Sequence, residues 1–318
     1  MKLGGLLALA WAATACAAAA RPAPMVLQPG QIDLARGPDG NTEILDAPQG
    51  LIVVDTGRHP EHARAILDHA RRAGKPIVAI VNTHWHLDHT TGDREILTAF
   101  PNAQIVASRA VESALAGFLK DELARSEATL AAGNMPADAR ARVERSIAAV
   151  RDRAALVPTL PVERDQVLAL GGRKLEVHLA RAAATEGDVW LVVPDEKLAI
   201  VGDLVVGAVP FFDTGCEQGW AAALAAIDAA RWDRLVPGHG AVMTRVEFRR
   251  WRGAFAAYLD CARSARSAQD CAEQWTDDAR GFYSAGEAPQ VPAMARYYIE
   301  NVLRAPPAKR MAYCRKSP

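Results

Sequence analysis

Short apolar runs separated by glycine and proline turns dominate the first part of the chain. The segments 31–34, 42–45 and 51–55 have the length and composition of strands, and the apolar run 76–82 predicts another. Residues 60–73 predict a helix, because Pro60 stands at its start and Gly74 follows its end. This alternation of strands and helices indicates an α/β fold.

The middle of the chain has the residue spacing of helices and lies between two strand-rich halves. Residues 111–133 and 136–155 are rich in Ala, Arg and Glu with helical spacing, and Gly133-Asn134 separates them. We expect a helical insertion at about 109–155. It forms either a solvated structural hairpin or a lid over a functional site, and the sequence does not choose between them.

The second half repeats the strand pattern and then turns helical. Segments 167–170, 174–179, 189–193 and 198–201 predict strands, 219–230 predicts a helix, and residues from 246 onward predict terminal helices. We therefore expect a main domain at 25–245 and a C-terminal helical extension at 246–318. A chain of 318 residues can bury a core of that size.

The charge balance argues against large polyanionic partners. Lysine and arginine together number 37, as do aspartate and glutamate, so the formal net charge is zero. Binding to nucleic acid normally shows as an excess of basic residues. We expect a small-molecule substrate and no nucleic-acid partner. The oligomeric state is not readable from composition.

The N-terminus has the pattern of an export signal. Lys2 supplies the positive charge, residues 3–20 form the apolar segment, and small residues lead to Arg21. We expect a signal peptide at 1–20, a periplasmic or secreted mature protein, and no stable membrane insertion after the signal is removed. Two alternatives stay open, an uncleaved membrane anchor and lipidation of Cys16.

Four cysteines follow the predicted signal, and an even number in an exported chain favours disulfides. Cys261 and Cys271 enclose a short polar loop and are the favoured pair, which leaves Cys216 for Cys314. Four cysteines permit three pairings, and buried free thiols are the alternative.

One hexapeptide, residues 84–89, concentrates side chains that bind metals. His84, His86, Asp88 and His89 stand within six positions, directly after the predicted strand at 76–82. Imidazole and carboxylate groups suit Zn²⁺ and neighbouring first-row metals. Open α/β sheets place their functional residues at the carboxyl ends of strands. The hexapeptide therefore predicts a metal centre.

The hexapeptide, together with one motif before it and two after it, resembles the sequence motifs of the metallo-β-lactamase-fold hydrolases. The signature H-x-H-x-D-H is complete, and it is joined by Asp55-Thr56-Gly57 after a strand, Gly202-Asp203-Leu204, and Pro237-Gly238-His239-Gly240. The resemblance implies a four-layer αβ/βα sandwich with the site between two sheets, and it identifies 25–245 as the domain of this family.

The resemblance also implies a ligand set. It places one metal on His84 and His86, a second on Asp88, His89 and His239, and Asp203 between the two metals. The expected function is that of a metal-dependent hydrolase. A metal-bound hydroxide would attack an ester, lactone, thioester or amide, and Asp88 would hold the proton as the catalytic carboxylate.

Other functions stay open at this point. A metal-binding accessory protein of a periplasmic, quinoprotein-type redox system would need the same ligands without hydrolytic turnover. A non-haem iron oxygenase is a further option, since two histidines and a carboxylate suit Fe(II). β-Lactamase activity is less favoured, because Asp203 occupies a position that the best-known zinc β-lactamases fill with Cys.

One departure from the family pattern affects the metals. The family usually carries His in a G-H-T-x-G-D stretch, whereas this chain has Ala184 before Thr185. His178 lies six residues upstream on a predicted strand and is a poor substitute, because six extended residues span roughly 20 Å. We expect one tightly bound Zn²⁺ and a second that is weak or absent, with Fe or Mn as alternatives.

Overall fold

The computed structural model describes residues 26–30, 32–33, 36–312 and 314. The predicted signal peptide at 1–20 lies outside the described residues, as do both ends of the predicted strand 31–34. The strands in chain order are β1 Val26–Gln28, β2 Ile32–Asp33, β3 Gly37–Pro38, β4 Thr42–Ala47, β5 Gly50–Val54, β6 Ile77–Val81, β7 Gln104–Ala107, β8 Leu160–Pro161, β9 Gln166–Leu170, β10 Arg173–Arg181, β11 Gly187–Val193, β12 Leu198–Ile200, β13 Arg234–Val236 and β14 Met243–Thr244.

Helices alternate with these strands and then occupy the C-terminal part. Their bounds are α1 Pro60–Ala73, α2 Leu87–Thr90, α3 Asp93–Ala99, α4 Ala110–Ala116, α5 Phe118–Ala131, α6 Ala137–Arg151, α7 Arg153–Leu156, α8 Glu217–Ala229, α9 Arg245–Arg263, α10 Ala268–Asp278, α11 Val291–Tyr298 and α12 Pro307–Arg310. Two 3₁₀ turns, Pro194–Glu196 and Gly202–Leu204, and a π turn, Ile299–Leu303, complete the elements.

Two mixed six-stranded sheets form the centre of the molecule. The first has the order β1-β4-β5-β6-β7-β8, and the second has the order β14-β13-β12-β11-β10-β9. Alternate residues of each sheet point into the space between them, where Leu45, Ile52, Val81, Leu191 and Ile200 are buried in one cluster. Each such aliphatic side chain stabilises the fold by roughly 1.5–3 kcal/mol relative to exposure.

Helices cover the outer face of each sheet. Ile66 of α1 and Ile96 of α3 pack on the first sheet with Val53 and Ile80. Trp220 of α8 joins the outer face of the second sheet, together with the C-terminal helices. The order of layers is helices, sheet, sheet, helices, so the predicted four-layer αβ/βα sandwich is confirmed.

The helical insertion differs from its prediction in two respects, since the predicted helix 136–155 is also divided, at Asp152, into α6 and α7. The predicted helix 111–133 is two helices, α4 and α5, because the chain turns sharply at Gly117 with φ −126° and ψ −102°. Leu115, Leu119 and Val150 of the insertion pack with Trp85 and Leu87 of the hexapeptide. The insertion is therefore packed onto the metal-binding segment.

The C-terminal helices are tied into the second half of the molecule. Helix α9 begins at a capping box in which Thr244 accepts from the Glu247 backbone and Glu247 reaches back to Thr244. Disulfides join Cys261 to Cys271 and Cys216 to Cys314, the pairing favoured by the sequence. Within the described residues, every helix is too short or too polar to cross a bilayer.

Candidate metal centre

Three neighbouring segments bring the predicted ligands to one edge of the two sheets. The hexapeptide follows β6 and runs into the short helix α2, Asp203 lies in the 3₁₀ turn after β12, and His239 follows β13. Strands β12 and β13 are parallel, so their carboxyl ends meet at the same edge. Chain topology thus joins residues that are separated by up to 155 positions in sequence, from His84 to His239.

All six predicted ligands lie in two adjacent groups. His84, His86 and Asp203 form the first group, and Asp88, His89 and His239 form the second. In each group the candidate ligand atoms lie within 4.8 Å of one another. This division corresponds to the two ligand sets that the sequence motifs imply.

The second group has the spacing of a tetrahedral site. His239 Nε2 lies 3.1 Å from Asp88 Oδ2, 3.3 Å from His89 Nε2 and 3.4 Å from Asp203 Oδ1, and His89 Nε2 lies 3.2 Å from Asp203 Oδ1. Four atoms placed about 2.1 Å from a tetrahedral zinc ion stand roughly 3.4 Å apart. These four atoms therefore fit one zinc ion.

Asp203 offers its other oxygen to the first group. Asp203 Oδ2 lies 3.7 Å from His84 Nε2, while Oδ1 faces the second group. Both His84 Nε2 and Asp203 Oδ1 are buried and form no hydrogen bond with the described residues. Leaving a buried polar atom unsatisfied costs about 1–3 kcal/mol. A cation in the first group would satisfy His84 Nε2, and a cation in the second group would satisfy Asp203 Oδ1, so the residues fit the metals that the motifs imply.

Hydrogen bonds determine which nitrogen of His84 and His89 is free. Asp55 accepts from His89 Nδ1 at 2.7 Å and from the Thr83 hydroxyl at 2.7 Å. Since the single Thr83 proton goes to Asp55, the Thr83 oxygen must accept from His84 Nδ1, 3.1 Å away. Both imidazoles therefore carry their proton on Nδ1 and turn an Nε2 lone pair toward the site.

Thr214 determines the tautomer of His86 in the same way. Its hydroxyl donates to the Ala184 carbonyl at 2.9 Å, so it accepts from His86 Nε2 at 3.0 Å. The His86 lone pair is consequently on Nδ1. Thr214 is fully buried. Partners that orient ligating histidines in this manner commonly tune metal affinity.

The electrostatics of the first group favour neutral imidazoles. Burial lowers the pKa of His86 to about 4. Burial, with the nearby His89 and His86, also holds the pKa of His84 well below its usual value. Burial alone would raise the pKa of Asp203, but attraction to His239 and His89 outweighs it and keeps this pKa low. A neutral imidazole and an ionised carboxylate are the forms that bind a metal.

Neither Ala184, at the position of the family's third histidine, nor His178 supplies a third imidazole to the first group. Ala184 is buried, and its carbonyl accepts from Thr214, which is itself bonded to His86. His178 lies on β10, where it stacks on Trp190 with ring centroids 4.0 Å apart and bonds to Asp165 at 2.8 Å. It belongs to neither ligand group.

A cavity of about 930 Å³ opens in front of the ligands. Asp88, His86, Asp203 and His239 lie on its wall, opposite residues of α5, α6 and α11. The size is within the usual range for small-molecule sites. Trp85 and Phe211 line this cavity, whereas Trp220 of α8 is packed in the core against the second sheet.

Three residues that contact the ligands were not predicted from the sequence. Thr83 and Thr214 are single hydroxyls with no motif of their own, and Arg58 follows the Asp55-Thr56-Gly57 motif. Arg58 Nη2 lies 3.8 Å from Asp88 Oδ1. Its position directly after a motif at a strand end was the available signal, and the two threonines offered none.

The chain is similar in sequence to known proteins. The sequence model of the Metallo-beta-lactamase superfamily matches residues 37–239. The (R)-specific secondary-alkylsulfatase of a Pseudomonas species is 30% identical over 188 residues, 53% of this chain and 28% of that protein. The hydroxyacylglutathione hydrolase of Gloeobacter violaceus is 44% identical over 64 residues, 20% of this chain and 24% of that protein.

A solved structure shows the same fold. The stereoselective inverting sec-alkylsulfatase Pisa1 from Pseudomonas sp. superposes with a TM-score of 0.55 at 20% identity, covering 86% of this chain and 47% of that one. The chain thus matches 24% and 28% of the length of the two curated relatives and 47% of this solved one.

Proposed function

This chain belongs to the metallo-beta-lactamase superfamily, and we propose that it is an exported, metal-dependent hydrolase of a small-molecule ester, lactone, thioester or amide. One observation carries the proposal: two adjacent ligand groups, with buried unsatisfied atoms on His84 and Asp203, reach the wall of a substrate-sized cavity through four of their six residues. Two relatives are named as hydrolases of hydroxyacylglutathione and of secondary alkyl sulfates, which supports hydrolysis as the reaction class.

We assign the ligands from the distances. His84 Nε2, His86 Nδ1 and Asp203 Oδ2 would hold the first metal, and Asp88, His89, His239 and Asp203 Oδ1 would hold the second. Zinc suits this donor set, and bound zinc lowers the pKa of water to about 7 and polarises a carbonyl. The first group has one ligand fewer because Ala184 replaces the usual His, so we propose that its metal is the weaker one.

Asp88 is the catalytic residue of this proposal. Its Oδ2 faces His239, whereas its Oδ1 remains toward Arg58 and the cavity. An oxygen in that position can take a proton from the attacking water and return it to the leaving group. The buried partners Asp55, Thr83 and Thr214 keep the three histidines of the hexapeptide oriented while this occurs.

The test begins with metal content. Protein purified without added metal should contain zinc, and chelation should remove both the metal and the hydrolysis of a panel of chromogenic esters, thioesters, lactones and cephalosporins. Asp88→Ala should lose tight binding and all hydrolysis. Asp233→Ala removes an exposed carboxylate paired with Lys197 and should change neither. An Asp88→Ala variant with normal metal content would refute the ligand assignment.

The same panel separates the alternative function. Ala184 favours the alternative, a metal-binding accessory protein of a periplasmic redox system. The missing imidazole weakens the proposed first metal site, and a protein that does not hydrolyse a substrate can function without that metal. Normal metal content with no turnover on any class of ester, thioester, lactone or amide would support that alternative over the hydrolase.

A further inference from the structure

A continuous aromatic wall runs past one ligand of the proposed first metal. The ring centroids of Phe118 and Trp85 lie 5.4 Å apart, those of Trp85 and His86 4.6 Å, those of His86 and Phe211 5.2 Å, and those of Phe211 and Tyr298 6.1 Å. The wall thus extends from the helical insertion to the C-terminal helix α11, with His86 at its centre. All five side chains line the cavity.

The other charged groups around this cavity already have partners. Outside the ligands, these pairs are Arg36 with Glu61, Arg142 with Asp138, Arg145 with Glu95, Glu122 with Arg125, and Glu287 with the Ser284 backbone. Arg58 differs from them. Its one ion pair among the described residues is with Asp88 at 3.8 Å, beyond hydrogen-bond distance, and its Nε is buried without a partner.

The backbone of Arg58 is held in place from two directions. Asp39, which is fully buried, accepts from the Arg58 amide at 2.5 Å, and Arg145 of the insertion donates to the Arg58 carbonyl at 2.8 Å. Since Asp88 is also a proposed metal ligand, a bound metal would share its charge. The structure therefore presents, on a fixed backbone, a guanidinium beside the ligands with spare donors.

We infer that the substrate is an amphiphilic anion, an ester or thioester with an apolar group for the aromatic wall and a carboxylate or similar anion for Arg58. This inference rests on the proposed hydrolase function. A guanidinium binds a carboxylate through charge-assisted hydrogen bonds. The aromatic wall favours an aliphatic or aromatic group, because each buried methylene improves affinity roughly fourfold.

Binding without turnover tests the inference separately from hydrolysis. The probe is the ketone analogue of monodecyl succinate, in which a methylene replaces the alkoxy oxygen. Two matched compounds accompany it: levulinate, which lacks the long chain, and the alcohol in which hydroxymethyl replaces the carboxylate. Calorimetric titration at matched zinc content, below the micelle concentration, is made on wild type, Arg58→Gln and Arg142→Gln. Arg142 lines the same cavity but is paired with Asp138.

Wild type should bind the probe at least tenfold more tightly than either matched compound. Arg58→Gln should lose about tenfold or more in affinity for the probe and bind the alcohol as before, while Arg142→Gln should keep the wild-type preference. Equal binding of levulinate, or an unchanged preference for the anion in Arg58→Gln with native thermal unfolding, would overturn the inference. If the probe binds as expected but monodecyl succinate and the other esters are not hydrolysed, the proposed function fails and the binding specificity stands.

Discussion

Thr214 offers the sharpest test of how this chain prepares its proposed metal centre. Its hydroxyl is fully buried between His86 Nε2 and the Ala184 carbonyl. Thr214→Val keeps the shape of the side chain but removes the hydroxyl. The His86 Nε2 proton then loses its acceptor, and the tautomer with a lone pair on Nδ1 is no longer favoured.

The expected loss can be bounded. Removing a hydrogen-bond partner behind a metal-ligating histidine typically weakens metal binding about 10–100-fold, which corresponds to roughly 1.4–2.7 kcal/mol. The loss should be confined to the first metal, because Thr214 contacts His86 and none of the second group. Thr214→Ser keeps the hydroxyl and should bind both metals nearly as wild type does.

Two measurements check this prediction. Competition with a chromophoric chelator gives the affinity of each metal, and ¹⁵N NMR of labelled histidine reports which nitrogen of His86 carries the proton. A general loss of stability in Thr214→Val would weaken the binding of both metals together. A local disturbance of the pocket that did not depend on the hydroxyl would weaken metal binding in Thr214→Ser as well. The reasoning is wrong if Thr214→Val binds the first metal with wild-type affinity and His86 keeps its Nε2 proton.

Three further predictions follow from individual residues. Ala184→His should tighten the first metal at least about tenfold by chelator competition if this position faces the site, and no change would show that it does not. Gly40→Ala should weaken the second metal, because the added Cβ would lie 2.3 Å from the His89 ring, whereas Gly253→Ala in α9 meets nothing within 4 Å and should leave metal binding intact. Mass spectrometry of periplasmic protein should show a chain that begins between residues 16 and 24 and carries at most one free thiol. Four alkylatable thiols without reduction would contradict the two disulfides.

Local sequence was sufficient for the elements that carry the ligands. The apolar run before His84 was predicted as a strand from its length and forms β6, and the predicted helix 60–73 has the same bounds in the structure because Pro60 and Gly74 are strong local signals. Family motifs supplied the fold and the six candidate ligands. The signal peptide and its cleavage site stay predictions, since they lie outside the described residues.

Tertiary structure decided what surrounds those ligands. Thr214 stands 128 residues from His86 and reaches it only because the loop after Asp203 returns to the hexapeptide. Arg58 and Asp88 likewise meet through the pairing of β5 with β6, and Trp220 lies in the core because α8 turns that face toward the second sheet. A hydroxyl or an indole has no preferred partner in the local chain. Its role depends on which long-range contacts the packing of the two sheets creates, and these are not encoded in the spacing of residues along one segment.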